Sequence, residues 1–332
     1  MKYSEAIPGK RTLSIQPTQQ CTAACEHCGT FSNPGTKVRL SKDFAEEAIR
    51  QAAQEGFLEV AFTGGEPTLS GKWLLQAIEL AKSLGLGARL VTNGWWGRTA
   101  DLAQKNARSF AEAGLDEITF STGDQHARFV CVDAVIRGIC AAVRAGMHVA
   151  VVVELIKPRS VTQAALEARP DIQKLRVDCT GTRLNFYESP WMPLNPMEIE
   201  HYPNGAMVNA SNLGRKGGCG DILQTITVGP DGTVGACCGI GMRLIPALQL
   251  GNIADTSIAE ATRNADADPL KRWIRAAGPE QILAWAATHD PGVKWENMYA
   301  HRCQACIRMY TDPAVQKVLR EQQPELFRSE RK

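Results

Sequence analysis

The sequence predicts an α/β protein built on a parallel sheet with helices packed outside it. Three observations lead there. From Thr12 to about Ser189, short strand-like runs alternate with longer helix-like runs, the order expected of repeated β/α units. One of the strand-like runs, Met147–Glu154, is strongly apolar, as strands buried on both faces are. Glycine follows the helix-like runs at Gly56, Gly85, Gly114 and Gly146, where a helix end wants a left-handed residue.

Thr12–Gln16 reads as the first strand. Lys42–Glu55 reads as a helix, with Ser41 at its N-cap and Asp43 in the first turn. Leu58–Phe62 is the second strand. Lys72–Leu84 is the next helix, with Trp73, Ala77 and Leu84 on one side. Ala88–Val91, Ala100–Ala113, Glu117–Ser121 and Ala127–Ala145 continue the alternation. Met147–Glu154, a short helix over Val161–Ala168 and a sixth strand over Thr182–Glu188 complete it. The pattern does not separate an open sheet from a barrel. In either, sites lie at the carboxyl ends of the strands.

After Ser189 the prolines Pro190, Pro193, Pro196 and Pro203 exclude regular structure. A boundary is expected there, dividing the chain into 1–200 and 201–332. Ile222–Val228, the turn Pro230-Asp231-Gly232 and Thr233–Ala236 read as a β-hairpin. No role is assigned to the segment from about 240 to 300 on its sequence.

Composition narrows the function classes. The 332 residues are 44% hydrophobic and 22% charged, with a net charge of +2, which is ordinary for a globular protein and gives no electrostatic footprint for nucleic acid. Met1 to Arg11 carries no apolar run, so no signal peptide is expected. No stretch is apolar for long enough to span a bilayer, and a cytoplasmic location is expected. Eleven cysteines in a reducing compartment point to metal ligands before disulfides.

Cys21, Cys25 and Cys28 stand in the loop after the first strand. Three thiolates leave one iron of a four-iron cube open, and an open metal position is where chemistry happens. A zinc site of the three cysteines with His27 is the alternative, although His27 and Cys28 are sequence neighbours whose side chains diverge. Thr63-Gly64-Gly65-Glu66-Pro67 follows the second strand. Its glycines permit close backbone approach, Glu66 offers an anion to an ammonium, and Pro67 fixes the turn; a plain β–α turn has the same composition. Asn93-Gly94 after the third strand is first a turn signal, with Trp95 and Trp96 either lining a pocket or capping the core. Asp124 and His126, after the fourth strand, form an acid–imidazole pair suited to proton transfer, or else a helix cap and a solvated histidine.

The Cys-x3-Cys-x2-Cys loop and the Gly64-Gly65-Glu66-Pro67 loop, in this order, resemble the radical S-adenosylmethionine (SAM) family. The resemblance implies a partial (β/α)6 TIM-like barrel. It implies a [4Fe–4S] cluster on Cys21, Cys25 and Cys28 that cleaves SAM to a 5′-deoxyadenosyl radical. Gly64, Gly65, Glu66 and Pro67 would bind the SAM methionine, and Ser121, Glu154 and Asn185 the rest of its pocket. Cys219, Cys237, Cys303 and Cys306 resemble a small twitch/SPASM-type C-terminal domain, and imply an auxiliary [4Fe–4S] cluster with Cys238 spare. A four-cysteine zinc ribbon uses the same hairpin and CxxC. Cys131, Cys140 and Cys179 are expected to be buried, inert thiols.

The resemblance implies hydrogen abstraction from a substrate C–H. The expected outcome is oxidation of a ribosomally made peptide by cross-linking or dehydrogenation. The alternatives are a dehydrogenase or epimerase of a small alcohol, sugar or aminocyclitol, and a zinc-stabilised binding module. A flavodoxin- or ferredoxin-type electron donor is implied. Because the first strand begins by residue 12, a peptide substrate is expected to need a separate recognition protein.

Overall fold

A computed structural model describes residues 11–181, 183–238 and 241–322. Six parallel strands form the predicted barrel wall: β1 (Thr12–Ile15), β2 (Glu59–Phe62), β3 (Gly87–Thr92), β4 (Glu117–Thr122), β5 (His148–Leu155) and β6 (Leu184–Pro190). The expected start of the sixth strand, Thr182, lies outside the described residues. Between them run α1 (Lys42–Gln54), α2 (Lys72–Ser83), α3 (Ala100–Glu112), α4 (Asp124–Ala127), α5 (Val132–Arg144), α6 (Gln163–Glu167) and α7 (Pro170–Asp178). The C-terminal part holds α8 (Ala210–Leu213), β7 (Thr225–Val228), β8 (Thr233–Gly235), β9 (Gln249–Asn252), α9 (Ile258–Ala267), α10 (Pro269–Ala277), α11 (Pro279–His289), α12 (Arg302–Thr311) and α13 (Pro313–Glu321).

All nine strands belong to one open sheet, ordered β6-β5-β4-β3-β2-β1-β7-β8-β9. It is a partial, unclosed TIM-like barrel. The sequence does not announce one feature: β7 pairs in parallel with β1, Leu13 facing Ile226 and Ile15 facing Val228. The strand at the heart of the sheet therefore receives its second neighbour from more than two hundred residues away. Arg11 reinforces the join, donating to Leu223 O at 3.1 Å and to Asp266 at 2.6 Å.

The barrel core is continuous from Leu13 to Ala261, and a second apolar cluster runs from Met192 to Val318. Ile139 on α5 is 0% exposed; burial of one such side chain is worth about 1.5–3 kcal/mol.

Four local expectations need correction. Ala127–Ala145 is not one helix: α4 and α5 are separated, because Glu154 holds the amides of Gln125 and His126 while Val130 drops into the core. Cys131, expected to be buried, is the exposed N-cap of α5. The inward face of α2 is Leu74, Ala77, Ile78 and Ala81, while Leu84 lies past the helix end and is 39% exposed. Ser41 stands at its cap position but makes no side-chain capping bond. Among the described residues, no helix is long and apolar enough to cross a membrane.

Candidate functional site

The loop after β1 is held shut by its own backbone. Gln19 N donates to Val38 O at 2.9 Å, and Cys21 N donates to Asn33 O at 3.1 Å. Inside this closed loop, Cys21, Cys25 and Cys28 line one cavity of about 290 Å³ at the carboxyl ends of the strands. Several donors turn toward the sulfurs. Ala23 N and Asn93 Nδ2 lie 3.4 and 3.5 Å from Cys21 Sγ. Thr30 Oγ1 and Ser32 N lie 3.3 and 3.5 Å from Cys28 Sγ.

Burial pushes the Cys21 thiol up to about 11 and the Cys25 thiol to about 12, and the neighbouring thiols add to both shifts. Three thiolates in one pocket are costly unless a cation joins them, and a bound metal inverts that cost. His27 does not join the cysteines as a fourth ligand. Its Nε2 faces Glu200 at 3.6 Å and Glu198 at 4.0 Å.

The glycine loop after β2 lies against the cysteine loop, backbone to backbone. Gly65 N donates to Thr18 O at 3.0 Å, and Glu66 N donates to Gln20 O at 2.8 Å. A Cβ on Gly65 would stand 2.2 Å from Gln20 O, and one on Gly64 would stand 2.8 Å from Gln16 Cβ. Gly64 and Gly65 line the cavity; Glu66 and Pro67 do not. Glu66 is 0% exposed. Its carboxylate accepts from Thr68 N at 3.2 Å, Thr68 Oγ1 at 2.6 Å, Thr92 Oγ1 at 2.9 Å and Asn93 N at 2.9 Å. Burial drives its pKa above the usual carboxylate range despite these donors. Pro67 opens the single helical turn Pro67–Ser70.

Asn93 and Ser121 line the cavity, but Trp95 and Trp96 do not. Trp96 packs edge-on to Phe110, and Trp95 Nε1 donates to Thr68 Oγ1 at 2.8 Å. The expected Asp124–His126 pair is also replaced. Asp124 accepts from Ser160 N and Val161 N at 2.8 and 3.1 Å, away from the cavity. His126 instead bonds through Nδ1 to Glu154, and both line the cavity. Gly123 makes this possible: at φ +146°, its Cβ would meet Glu154 at 2.4 Å. Asn185 is exposed near the start of β6, the end of the strand away from the site.

Thr122, Trp191 and His301 are among the cavity residues that escaped the sequence reading. Trp191 signals itself only by position, just past a strand end. His301 is the N-cap of α12, its Nδ1 accepting from Cys303 N at 3.1 Å. That bond leaves the proton of the neutral ring on Nε2. The signal available was a histidine two residues before Cys303-x-x-Cys306.

A second cavity, of about 30 Å³, is lined by Cys219, Cys237, Cys238, Cys303 and Cys306, with Asp221 and Arg302. Burial raises the Cys219 and Cys306 thiols. Cys303 is raised chiefly by its bond to Cys238. The charge of Cys238, then burial, pushes Asp221 up to about 6. Arg302 pairs with Glu280 at 3.2 Å and donates to Gly218 O at 2.8 Å.

Residues 15–167 match the family described as the Radical SAM superfamily. The chain is 31% identical over 121 residues to the putative peptide biosynthesis protein YydG of Bacillus subtilis (strain 168), covering 36% of this chain and 38% of that protein. It is 32% identical over 122 residues to PqqA peptide cyclase of Xanthomonas campestris pv. campestris (strain B100), covering 36% of this chain and 30% of the cyclase. The chain thus spans only about a third of either curated relative's length. A solved structure of native anSMEcpe with bound AdoMet and Cp18Cys peptide shares the fold, with a TM-score of 0.55 and 17% identity over 94% of this chain and 99% of that one. The matched residues carry the cysteine loop, the glycine loop and strands β2 to β5, and they mark this part of the chain as a radical SAM domain.

Proposed function

We propose that this radical SAM enzyme carries out a two-electron oxidation, a cross-link or a dehydrogenation, of a ribosomally made peptide. The observation that carries the reading is the convergence of Cys21, Cys25, Cys28, Gly64 and Gly65 on one cavity. The cysteines would hold a [4Fe–4S] cluster, and Gly64, Gly65, Ser121 and Glu154 would line the SAM site. Cys219, Cys237, Cys303 and Cys306 would hold an auxiliary cluster, with Cys238 as the fifth thiol. When bound, the first cluster supplies the electron that splits SAM and yields the hydrogen-abstracting 5′-deoxyadenosyl radical, and the second offers a sink for one electron.

The chain's own residues do the rest. Glu66 locks the glycine loop against β3 through Thr92 and Asn93. Glu154 orients His126, which faces the cavity and would accept the proton that leaves with the electron. Similarity to a peptide biosynthesis protein and a peptide cyclase supports a peptide substrate. The division at residue 200 corresponds to a SAM-handling part and an auxiliary part. A flavodoxin- or ferredoxin-type donor, a separate recognition protein and a cytoplasmic setting complete the reading.

Epimerisation is the second reading. One observation favours it: five thiols line the second cavity where a cube needs four, so one remains for hydrogen donation.

Anaerobic reconstitution tests the proposal. The protein should bind about eight irons, two cubes. Cys21→Ala should lose about half of them and all SAM cleavage. Cys219→Ala should lose the other half and keep substrate-free SAM cleavage. The product should be lighter by two hydrogens. A product of unchanged composition that gains solvent deuterium replaces oxidation with epimerisation, and stoichiometric zinc in a colourless protein ends the iron–sulfur reading.

A further inference from the structure

Tyr310 presents a buried hydroxyl that the protein leaves unbonded. Its Oη has no hydrogen-bond partner. A buried donor without an acceptor is costly, and nearly all such groups in folded proteins are satisfied. The acceptor is therefore something that occupies this part of the molecule when it is complete.

The helix shows what that is. Cys303, Cys306 and Tyr310 lie on α12 at positions i, i+3 and i+7, one face of the helix. Long side chains on a helix lean back over the preceding turn, which carries Tyr310 toward Cys306, four residues earlier. Cys219, Cys303, Cys306 and Tyr310 pack against the same apolar cluster. Of the charged groups acting on the tyrosine, the Cys306 thiol is the strongest, followed by Asp268 and Cys237. Asp268 is not the missing acceptor. Its carboxylate is committed to the amides of Leu270 and Lys271 and to Lys271 Nζ. The other two charged groups acting on the tyrosine, Cys306 and Cys237, are sulfurs.

We propose that Tyr310 donates its hydroxyl proton in a hydrogen bond to the sulfur of the Cys306 ligand, and so sets the potential of the auxiliary cluster. This rests on the auxiliary-cluster reading above. A hydrogen bond to a ligand sulfur draws negative charge from the cluster and makes the reduced form easier to reach. Tyr310 is then a positioning and tuning residue, and it suits a cluster whose task is to accept an electron.

The test is an EPR-monitored redox titration of the reconstituted holoprotein, with no substrate present. Tyr310→Phe keeps the ring and removes the donor. Its auxiliary midpoint should move negative, with full iron content and an unmoved midpoint for the N-terminal cluster. Uniform 3-fluorotyrosine labelling strengthens the phenol as a donor and should move the auxiliary midpoint positive. The labelled protein decides alone if the phenylalanine variant loses iron. An auxiliary midpoint unchanged by both treatments, as when a buried water takes the bond, overturns the proposal. A wild-type holoprotein with a single cluster would instead bring down the auxiliary-cluster reading, and this inference with it; the two failures differ in iron content.

Discussion

At the scale of the residue, Glu66 shows how a motif and its geometry part company. As a motif position it predicts an anion for the SAM ammonium. In the fold its carboxylate is spent on Thr68, Thr92 and Asn93, and no part of it lines the cavity. Glu66→Ala should therefore destabilise the SAM-free protein by about 2–4 kcal/mol, since it orphans two amides that cannot rotate away. A urea melt of the apo protein measures this; unchanged apo stability with weakened SAM binding would return the carboxylate to the ligand. The pH dependence follows from the raised pKa. The folded state holds this proton more tightly than the unfolded chain does. Stability from this group is full below the ordinary carboxylate range and is lost as pH rises through the raised folded value. Glu66→Gln has no such proton, so the wild type should gain on it at low pH in paired urea titrations. The cysteines, by contrast, were legible because spacing within one loop decides whether thiols share a cavity. The Glu154–His126 pair was not, because Glu154 stands on β5 and His126 on α4, 28 residues apart.

At the scale of the element, the glycine loop and the cysteine loop form one unit. Their joint backbone bonds, and the lack of space for a Cβ at Gly65, mean that one cannot move without the other. Gly65→Ala should displace Gln20, next to Cys21, and reduce iron at the N-terminal site with every cysteine intact. Iron analysis of Gly65→Ala in a Cys219→Ala background, which leaves the N-terminal site alone, reads this directly. Iron equal to that of Cys219→Ala alone would show that the loops are independent. Strands and long amphipathic helices were legible because period is a local property. The break between α4 and α5 depended on Glu154, which no local window contains. The helix α7 was missed because its apolar positions are few, with only Ile172 and Leu175 buried.

At the scale of the whole molecule, the proposed division near residue 200 would separate chemical tasks, but the sheet runs across it. The pattern of prolines and the second cysteine set suggested two parts, and a period cannot reveal that β7 completes the sheet beside β1. Ile226, Val228, Val234, Ile253 and Ile258 all lie in the same core as the barrel strands. Five such side chains contribute on the order of 8–15 kcal/mol, as much as the about 5–15 kcal/mol that typically separates a folded protein from its unfolded chain. The barrel is thus expected to be unable to stand without the C-terminal residues. A fragment ending at residue 203 would expose the edge of β1 along Thr12–Ile15, where Thr12 N and Gln16 N now donate to Gln224 O and Val228 O at 2.9 Å. Such an unpaired, apolar edge is a template for aggregation. The fragment should be insoluble or rapidly proteolysed, and the intact apo protein should lose helix signal and tryptophan fluorescence in one coincident transition. Tryptophan fluorescence samples both parts, since Trp96 sits in the barrel core and Trp273 on α10 in the second apolar cluster. Two separated transitions, or a fragment that melts cooperatively on its own, would mean that the parts fold independently and that β7 only docks onto a finished barrel.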